Sequence, residues 1–280
     1  MIVYLNGKYL PKSEAFISPD DRGFLLADGV YEVTRSYNGF LLAWDRHLAR
    51  LERSLKELRI VHPGVDFEEI NRELLKRNGM DKSHATVYLQ VTRGVATRIH
   101  AFPKGDVKPT VYGFAREFKT EPDLWNKGVK VITAPDQRWA RCDIKSVALL
   151  ANVLAQQRAQ EAHAEEAILI RDGVITEGAH TSVCGVFDGV LYTHPDSNYI
   201  LPGITRSVVL DLCAELNIPV RMFPILESKL RSADELMILG TGSEVMPVVQ
   251  VDDWMVGTGK PGPVTCRLMD AYRKLYAHAL

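Results

Sequence analysis

Short apolar runs separated by Asn-Gly pairs open the chain. Residues 2–39 contain two such pairs, Asn6-Gly7 and Asn38-Gly39, between segments of β-type residues. Asn-Gly is a preferred centre for a two-residue hairpin turn because both of its residues tolerate a positive φ. The pattern therefore predicts antiparallel strands at the start of the chain.

A helical pattern follows these strands. Leucines at 48, 51, 55 and 58 form one apolar stripe, and Asp45 is placed to cap the helix that carries it. Arg50 lies on this helix but off the stripe, so periodicity indicates no site role for it. A second helix is predicted over 67–78, and strand alternation returns at 87–91 and 111–118. Residues 1–119 are therefore predicted to form an α+β domain with helices on one side of a mainly antiparallel sheet.

A polar segment with a proline, residues 119–127, interrupts the strand pattern, and we predict a linker at 120–126. A second domain is predicted over 127–280. Its expected strands are 129–133, 166–171, 174–176, 183–187, 190–193, 220–223, 235–239 and 248–251, and its expected helices are 149–162, 205–217 and one from about 263.

Composition and charge narrow the class of protein. The chain has 280 residues, of which 46% are hydrophobic and 25% charged, so it is long enough for about two folded domains and is unlike a disordered chain. A formal charge of -1 and the lack of a basic run disfavour a nucleic-acid role. The four cysteines show neither a C-x-x-C pair nor zinc-ligand spacing, which favours reduced thiols over a metal site. No apolar run approaches about 18 residues and no signal peptide is recognisable, so a cytoplasmic protein is predicted.

Two loops are candidates for binding a phosphate. In Leu201-Pro202-Gly203-Ile204-Thr205-Arg206, Pro-Gly suits the centre of a type II turn and Thr205 can cap the following helix. Free amides at a helix N-terminus attract anions. Residues 240–243, Gly-Thr-Gly-Ser, form a second loop of small residues after a predicted strand. The alternative for the first loop is a plain turn before a helix, and these residues alone leave it open.

Four side chains are candidates for chemistry. Lys145 directly precedes an apolar-rich segment, and a lysine can serve as an amine nucleophile if its surroundings favour the neutral form. Glu177 ends a predicted strand, where a carboxylate could face a site. Arg98 and His100 are two residues apart, so in an extended segment they point to one side and could hold a carboxylate together. Each of these is also compatible with an ordinary solvated surface residue.

Taken together, these motifs resemble the fold-type IV, or class IV, pyridoxal-phosphate-dependent aminotransferases, and among them the D-amino-acid aminotransferases. The resemblance spans nearly the whole chain. It is densest at Arg141 to Ser146, at Glu177-Gly178-Ala179, at Leu191-Tyr192-Thr193 and at 201–206. It implies a two-domain α+β fold with a small N-terminal α/β sandwich and a larger C-terminal, β-barrel-like domain with surrounding helices.

The resemblance also implies roles for particular residues. Lys145 corresponds to the Schiff-base lysine and Glu177 to the partner of the pyridine nitrogen. The other cofactor-binding positions that it implies are Arg50, Leu201, Ile204, Thr205 and Thr241. Those that match the substrate-carboxylate group of D-specific members are Tyr31, Arg98 and His100. His47 and Trp139 also occupy matching places, whereas His180, Ser182 and Cys184 depart from the family pattern.

The activity that the resemblance implies is transfer of an amino group from D-alanine or a similar D-amino acid to 2-oxoglutarate. Family members are typically homodimers, so Arg98 and His100 are expected to serve the partner's site. Three relatives within the family stay open as alternatives: a branched-chain L-amino-acid aminotransferase, an aminodeoxychorismate lyase and an (R)-amine transaminase. A non-catalytic small-molecule binder with this fold is the alternative from another class.

Overall fold

The computed structural model describes residues 1–279, so Leu280, the last residue of the predicted second domain, lies outside the described residues. The chain folds into two compact units. The first contains residues 1–120, 144–148 and 279, and the second contains residues 121–143 and 149–278. Segment 144–148, which carries Lys145, thus belongs to the first unit although it is distant in sequence. The domain boundaries given above stay a prediction.

The first unit is built on a six-stranded sheet. Its strands are β1 (Ile2–Leu5), β2 (Lys8–Pro11), β3 (Gly29–Tyr37), β4 (Phe40–Leu41), β5 (His84–Thr92) and β6 (Thr110–Glu117), and its helices are α1 (Arg22–Leu26), α2 (Trp44–Glu57) and α3 (Phe67–Arg77). The strand order is β2-β1-β6-β5-β3-β4, and the neighbours pair antiparallel. Both Asn-Gly pairs have positive φ, 47° and 87° at Asn6 and Gly7, and each joins two paired strands. The predicted hairpins are therefore confirmed.

Helices α2 and α3 supply the apolar faces that pack on this sheet. Leu51 and Leu74 are fully buried and belong to one core cluster with Val87 and Leu89 of β5. The predicted capping of α2 is wrong: Ala43, in the left-handed region with φ 53°, precedes the first helical residue, and Asp45 lies within the first turn. An acidic residue there still interacts favourably with the positive end of the helix dipole.

The second unit contains a nine-stranded mixed sheet. Its strands are β7 (Val129–Pro135), β8 (Glu166–Arg171), β9 (Val174–Gly178), β10 (Ser182–Phe187), β11 (Val190–Thr193), β12 (Val220–Met222), β13 (Glu235–Gly240), β14 (Glu244–Val251) and β15 (Trp254–Met255). Its order is β12-β11-β10-β13-β14-β7-β8-β9, with β15 on β14. Parallel pairing joins β11 to β12, β14 to β7 and β7 to β8, and the other pairs are antiparallel.

Four helices complete this unit: α4 (Pro122–Lys127), α5 (Leu150–Glu161), α6 (Ile204–Glu215) and α7 (Pro263–Lys274). Helix α4 lies in the segment predicted as a linker. It is anchored by Trp125, a buried side chain whose indole Nε1 donates a 2.9 Å hydrogen bond to the carbonyl of Ser243. Short 3-10 turns occur at Lys12–Glu14, Glu227–Ser232 and Ala277–Ala279. Of the helices within residues 1–279, none combines the length and apolar character that a bilayer crossing requires.

Candidate active site

Segment 144–148 is held against the start of β3. The amide of Tyr31 donates to the carbonyl of Lys145 at 2.9 Å, and the amide of Val147 donates to the carbonyl of Gly29 at 3.0 Å. The amide of Lys145 in turn donates to Ser54 Oγ on α2 at 3.3 Å. Two hydrogen bonds therefore fix the backbone of Lys145 and a third fixes that of Val147, and the half-buried Lys145 side chain places Nζ 4.3 Å from the centroid of the Tyr31 ring.

A buried group of three charged or polar side chains lies on the adjoining faces of β3 and α2. Arg50 binds Glu32 through two nitrogens, with Nη2 to Oε1 at 2.7 Å and Nε to Oε2 at 3.0 Å. His47 Nδ1 lies 3.0 Å from Glu32 Oε1. Burial by itself would raise the pKa of Glu32, but the charges of Arg50 and His47 outweigh it and hold that pKa well below its ordinary value. Burial lowers the pKa of His47 against the opposing pull of Glu32.

This group shows that Arg50, which lies off the leucine stripe, is nevertheless buried. Arg50 is only 7% exposed, because α2 buries a polar stripe of His47, Arg50 and Ser54 beside its apolar one. The spacing of 47, 50 and 54 is itself helical and was the available signal. Sequence reasoning missed Glu32, since nothing in the sequence indicates which buried strand position will face a guanidinium.

Arg98 and His100 are exposed in the segment that follows β5. The backbone bends at both residues, and the amide of Ile99 donates to the carbonyl of Thr97 at 2.9 Å. The expectation that an extended segment orients this pair is therefore wrong. Tyr31 is half-buried in the same unit, where its ring stacks on that of Tyr88 with centroids 5.6 Å apart.

In the second unit, Glu177 on β9 is buried and well supplied with donors. Arg138 Nη1 donates to its Oε1, and the amide of Leu201 lies 3.1 Å from both carboxylate oxygens. Arg138 is itself bound to the buried Asp136, with Nε to Oδ1 at 2.9 Å and Nη2 to Oδ2 at 2.8 Å. Burial raises the pKa of Glu177 to about 7, although Arg138 and the Leu201 amide act in the opposite direction. Sequence reasoning found Glu177 but missed Arg138 and Asp136.

The loop before α6 differs from its predicted form. Gly203 has φ -67° and ψ 129°, whereas the second central residue of a type II turn needs a positive φ, so the predicted turn is wrong. Gly203 is the N-cap residue, and Thr205 is the second residue of the helix and buried, so the predicted capping role of Thr205 is also wrong. The amides of Ile204, Thr205 and Arg206 occupy the first turn, where an α-helix supplies no carbonyl acceptor. Leu201, half-buried, precedes this turn.

The second small-residue loop joins β13 to β14 and includes the half-buried Thr241. It lies at the same end of the sheet as the start of α6. A Cβ added to Gly203 would collide with the Ser182 hydroxyl, and one added to Gly240 would lie 3.3 Å from Thr181 Cγ2. Since Ser182 is the first residue of β10 and Thr181 directly precedes it, the two loops converge there. The structure thus brings together the Gly203–Thr205 and Gly240–Thr241 backbones.

The remaining positions that the sequence singled out lie in the second unit. His180 Nδ1 lies 2.9 Å from the buried Glu166, whose carboxylate also accepts from the amide of Ala179 at 3.0 Å and from Thr181 Oγ1 at 2.8 Å. Glu166, which sequence reasoning missed, thereby fixes the turn that leads into Ser182. Cys184 is fully buried on β10, and Trp139 is partly exposed.

Comparison with known proteins identifies the family. The model of amino-transferase class IV matches residues 29–251. D-alanine aminotransferases from Staphylococcus haemolyticus and Bacillus licheniformis are each 42% identical to the chain, over 275 and 276 residues; both matches cover 97% of this chain, and 96% and 95% of the respective relatives.

Solved structures agree with this assignment. The branched-chain amino acid aminotransferase of Escherichia coli superposes with a TM-score of 0.90 at 26% identity, covering 98% of this chain and 94% of that one. The branched-chain aminotransferase of Thermoproteus uzoniensis with norvaline gives a TM-score of 0.86 at 26% identity, covering 98% and 94%. These similarities confirm the predicted α+β, fold-type IV architecture. The chain belongs to the amino-transferase class IV family, as its motifs predicted, and is an aminotransferase.

Proposed function

We propose that this aminotransferase moves the amino group of D-alanine, or of a similar D-amino acid, to 2-oxoglutarate, forming pyruvate and D-glutamate with pyridoxal 5'-phosphate as its cofactor. The observation that carries the proposal is the 42% identity, over 97% of the chain, to proteins named D-alanine aminotransferase. The two branched-chain aminotransferases that share the fold are only 26% identical.

The residues present fit this cofactor. Two backbone loops that converge on β10 offer first-turn amides and a threonine hydroxyl, the donors that a phosphate ester needs. A Cβ at position 203 would lie too close to the Ser182 hydroxyl, so glycine there lets the backbone approach β10 closely. In the same unit, Glu177 is a buried carboxylate suited to a protonated ring nitrogen. Ile204, Thr205 and Thr241 would hold the phosphate, and Leu201 would pack on the ring.

Arg50 lies on helix α2 of the first unit rather than on either loop. Its guanidinium binds Glu32 through two nitrogens, which leaves it in a fixed orientation on α2. We propose that Arg50, held in this way, adds positive charge for the phosphate, and that Glu32 and His47 orient it. Because guanidinium is planar and remains protonated, a fixed orientation preserves both the charge and the directional donors.

Lys145 carries the proton-transfer role in this proposal. Bound pyridoxal phosphate withdraws electrons from the bond between the substrate Cα and its hydrogen. Lys145 Nζ would first hold the cofactor and, once displaced by the substrate amine, take the proton from the substrate Cα. The backbone contacts of segment 144–148 with β3 and Ser54 limit the motion of the lysine, so one amine can serve both steps from one position.

Glu177 would keep the pyridine ring of the cofactor electron-withdrawing. As an anion it would accept a hydrogen bond from the protonated ring nitrogen and keep that proton in place. Arg138 stabilises the anionic form of Glu177, and Asp136 holds Arg138 in the orientation that this contact requires. Tyr31, Arg98 and His100 would hold the substrate α-carboxylate.

We also propose a homodimer in which Arg98 and His100 serve the partner's site. Phe16 and Phe24 of the first unit are 83% and 75% exposed, and Leu150 of the second is 73% exposed, so a partner chain could bury apolar surface at these positions. Light scattering coupled to gel filtration should give twice the mass of one chain, and a single-chain mass would contradict this part of the proposal.

The activity is tested with a panel of D- and L-amino acids and 2-oxoglutarate. Pyruvate should form from D-alanine and not from L-alanine, and formation from L-alanine alone would overturn the D-specific proposal. Preferential use of branched-chain L-amino acids would instead support the function of the structural relatives. Borohydride reduction followed by peptide mapping should place the cofactor on Lys145. Lys145→Ala should abolish the trapped adduct, whereas Lys229→Ala, at an exposed position, should leave it unchanged.

A further inference from the structure

We propose that Arg22, Asp28 and Arg93 form a positioning group that fixes the backbone of residues 98–100 for binding the substrate α-carboxylate. The inference rests on the proposed function, in which Arg98 and His100 bind that carboxylate. Within one chain, neither residue is positioned by packing of its own side chain, because both side chains are exposed. Within that chain, their geometry is set through the backbone.

The positioning group is a compact ion network. Asp28 Oδ2 accepts from Arg22 Nε at 2.7 Å and from Arg93 Nε at 2.8 Å, while its Oδ1 accepts from Arg93 Nη2 at 3.0 Å. Arg22 is only 2% exposed and Arg93 is also buried. Burial acts to raise the pKa of Asp28, but the two guanidinium groups outweigh it and lower that pKa below its ordinary value. The carboxylate is therefore ionised at neutral pH and orients both arginines.

Arg22 connects this network to the substrate-binding pair. Its Nη1 donates a 2.8 Å hydrogen bond to the carbonyl of Ile99, the residue between Arg98 and His100. The same guanidinium thus binds Asp28 through Nε and the loop through Nη1. Because guanidinium is rigid and planar, the position of Asp28 determines where the Ile99 carbonyl is held.

Arg93 contacts the same loop at Phe102, three residues after Ile99. Its Cζ lies 3.8 Å from the centroid of the Phe102 ring, close enough for a cation–π contact. Arg93 also donates to the carbonyls of Arg59 and Leu58, at 2.9 Å and 2.7 Å, just beyond the end of α2. The loop is therefore tied to the helix that carries His47 and Arg50.

Backbone contacts at the start of the loop complete the attachment. The amide of Arg22 donates to the carbonyl of Gly94 at 2.9 Å, and the amide of Ala96 donates to the carbonyl of Asp20 at 3.2 Å. The segment is thus held at its start, at Ile99 and at Phe102. A displacement of about 1 Å at a binding group can cost as much as 10²-fold in rate, which gives this attachment a functional consequence.

Arg22→Lys is the discriminating variant. Lysine keeps a positive charge beside Asp28 but has one ammonium, which cannot reproduce a rigid fork directed at both Asp28 and Ile99. In the holoenzyme we expect the KM for D-alanine to rise ~10-fold with kcat changed less than about threefold, the pattern of lost substrate binding. Arg72→Lys is the matched control, since Arg72 forms an exposed ion pair with Glu68 on α3.

Equilibrium binding separates positioning from general loosening of the fold. Calorimetry should show that Arg22→Lys weakens binding of propionate, which has the carboxylate but no amine, by the same factor as KM. Binding of ethylamine, which has no carboxylate, should stay unchanged. Equal losses for the two probes would overturn the inference, as would unchanged propionate binding.

Arg98→Met provides the reference for the proposed function. If it raises KM and weakens propionate binding while Arg22→Lys does neither, only the positioning inference fails. If Arg98→Met changes neither the KM for D-alanine nor the dissociation constant of propionate, the proposed carboxylate site fails, and the inference fails with it. Should Arg22→Lys not fold, Phe102→Leu removes the ring contacted by Arg93 and leaves the network intact. It should weaken propionate binding selectively, and an unchanged dissociation constant would overturn the inference.

Discussion

The buried carboxylate of Glu177 gives the cofactor-free protein a pH dependence that a single substitution should remove. Burial raises the pKa of Glu177 to about 7 from an ordinary value of 4.5. Between these two values the folded state keeps a proton that the unfolded state has released. The free energy of unfolding therefore falls as pH rises through this window, by about 1.4 kcal/mol per pH unit. The stability that the protonated Glu177 retains relative to its ionised form is fully present below pH 4.5 and is lost once pH exceeds about 7.

Glu177→Gln isolates this contribution because glutamine has nearly the same shape and does not titrate. Its amide oxygen can still accept from the Leu201 amide. Groups that titrate in both proteins, such as the buried His47, cancel in the difference between them. The stability of the unsubstituted protein relative to the variant should therefore fall by about 2–3 kcal/mol between pH 5 and pH 8.

Urea denaturation at several pH values, after treatment with hydroxylamine and dialysis to remove bound cofactor, measures this difference. Glu68→Gln is the control, because Glu68 is exposed on α3 and paired with Arg72. This variant removes a carboxylate of the same type from the surface, so it reports the effect of the substitution apart from burial. A Glu177→Gln difference that stays constant to within about 0.5 kcal/mol would refute the reasoning. It would show that Arg138 keeps Glu177 ionised throughout.

Three further predictions concern packing, the proposed phosphate-binding loops and the buried ion pair. Leu74→Ala truncates a fully buried side chain of α3 and should lower the free energy of unfolding by about 2–5 kcal/mol in urea titrations; a loss below about 1 kcal/mol would contradict the packing described. Gly203→Ala should weaken phosphate binding ~10-fold by calorimetry, because its Cβ collides with the Ser182 hydroxyl, and adding Ser182→Ala should restore most of the affinity. No recovery in the double variant would exclude this collision as the cause. Glu32→Gln should cost about 3–5 kcal/mol at pH 7, since Arg50 stays buried without its anion. Because the folded pKa of Glu32 is lowered, this cost should be full above pH 4.5 and shrink as pH falls below it, and a cost that grows on acidification would argue against the ion pair.

Local features of the fold were predictable from the sequence because their causes are local. The hairpin at Asn6-Gly7 depends on the φ preferences of two adjacent residues, and α3 depends on the spacing of its own apolar side chains. Strand β15 was missed because two residues, Trp254 and Met255, are too few to show an alternation. The start of α2 was misplaced because Ala43 adopts a left-handed conformation that no residue preference there indicates.

The candidate site was predictable only through the resemblance of its motifs to a family. Residue types and spacing identified Lys145 and Glu177 as candidates but left a surface role open for both. Periodicity placed Arg50 off the leucine stripe and indicated no site role for it, whereas the structure shows its side chain buried against Glu32. The sequence did establish a soluble-type composition, a strand-rich α+β chain and two small-residue loops, because each of these is a property of neighbouring residues.

Tertiary structure alone decided the partners of the charged side chains. Arg22 binds the carbonyl of a residue 77 positions away, and Arg138 binds a glutamate 39 positions away. It also placed Lys145 in the first unit, against the start of β3. A buried charge must find its counter-charge wherever folding places one, since leaving it unpaired costs several kcal/mol. That pairing is set by the meeting of distant strands and helices, which local sequence patterns do not encode.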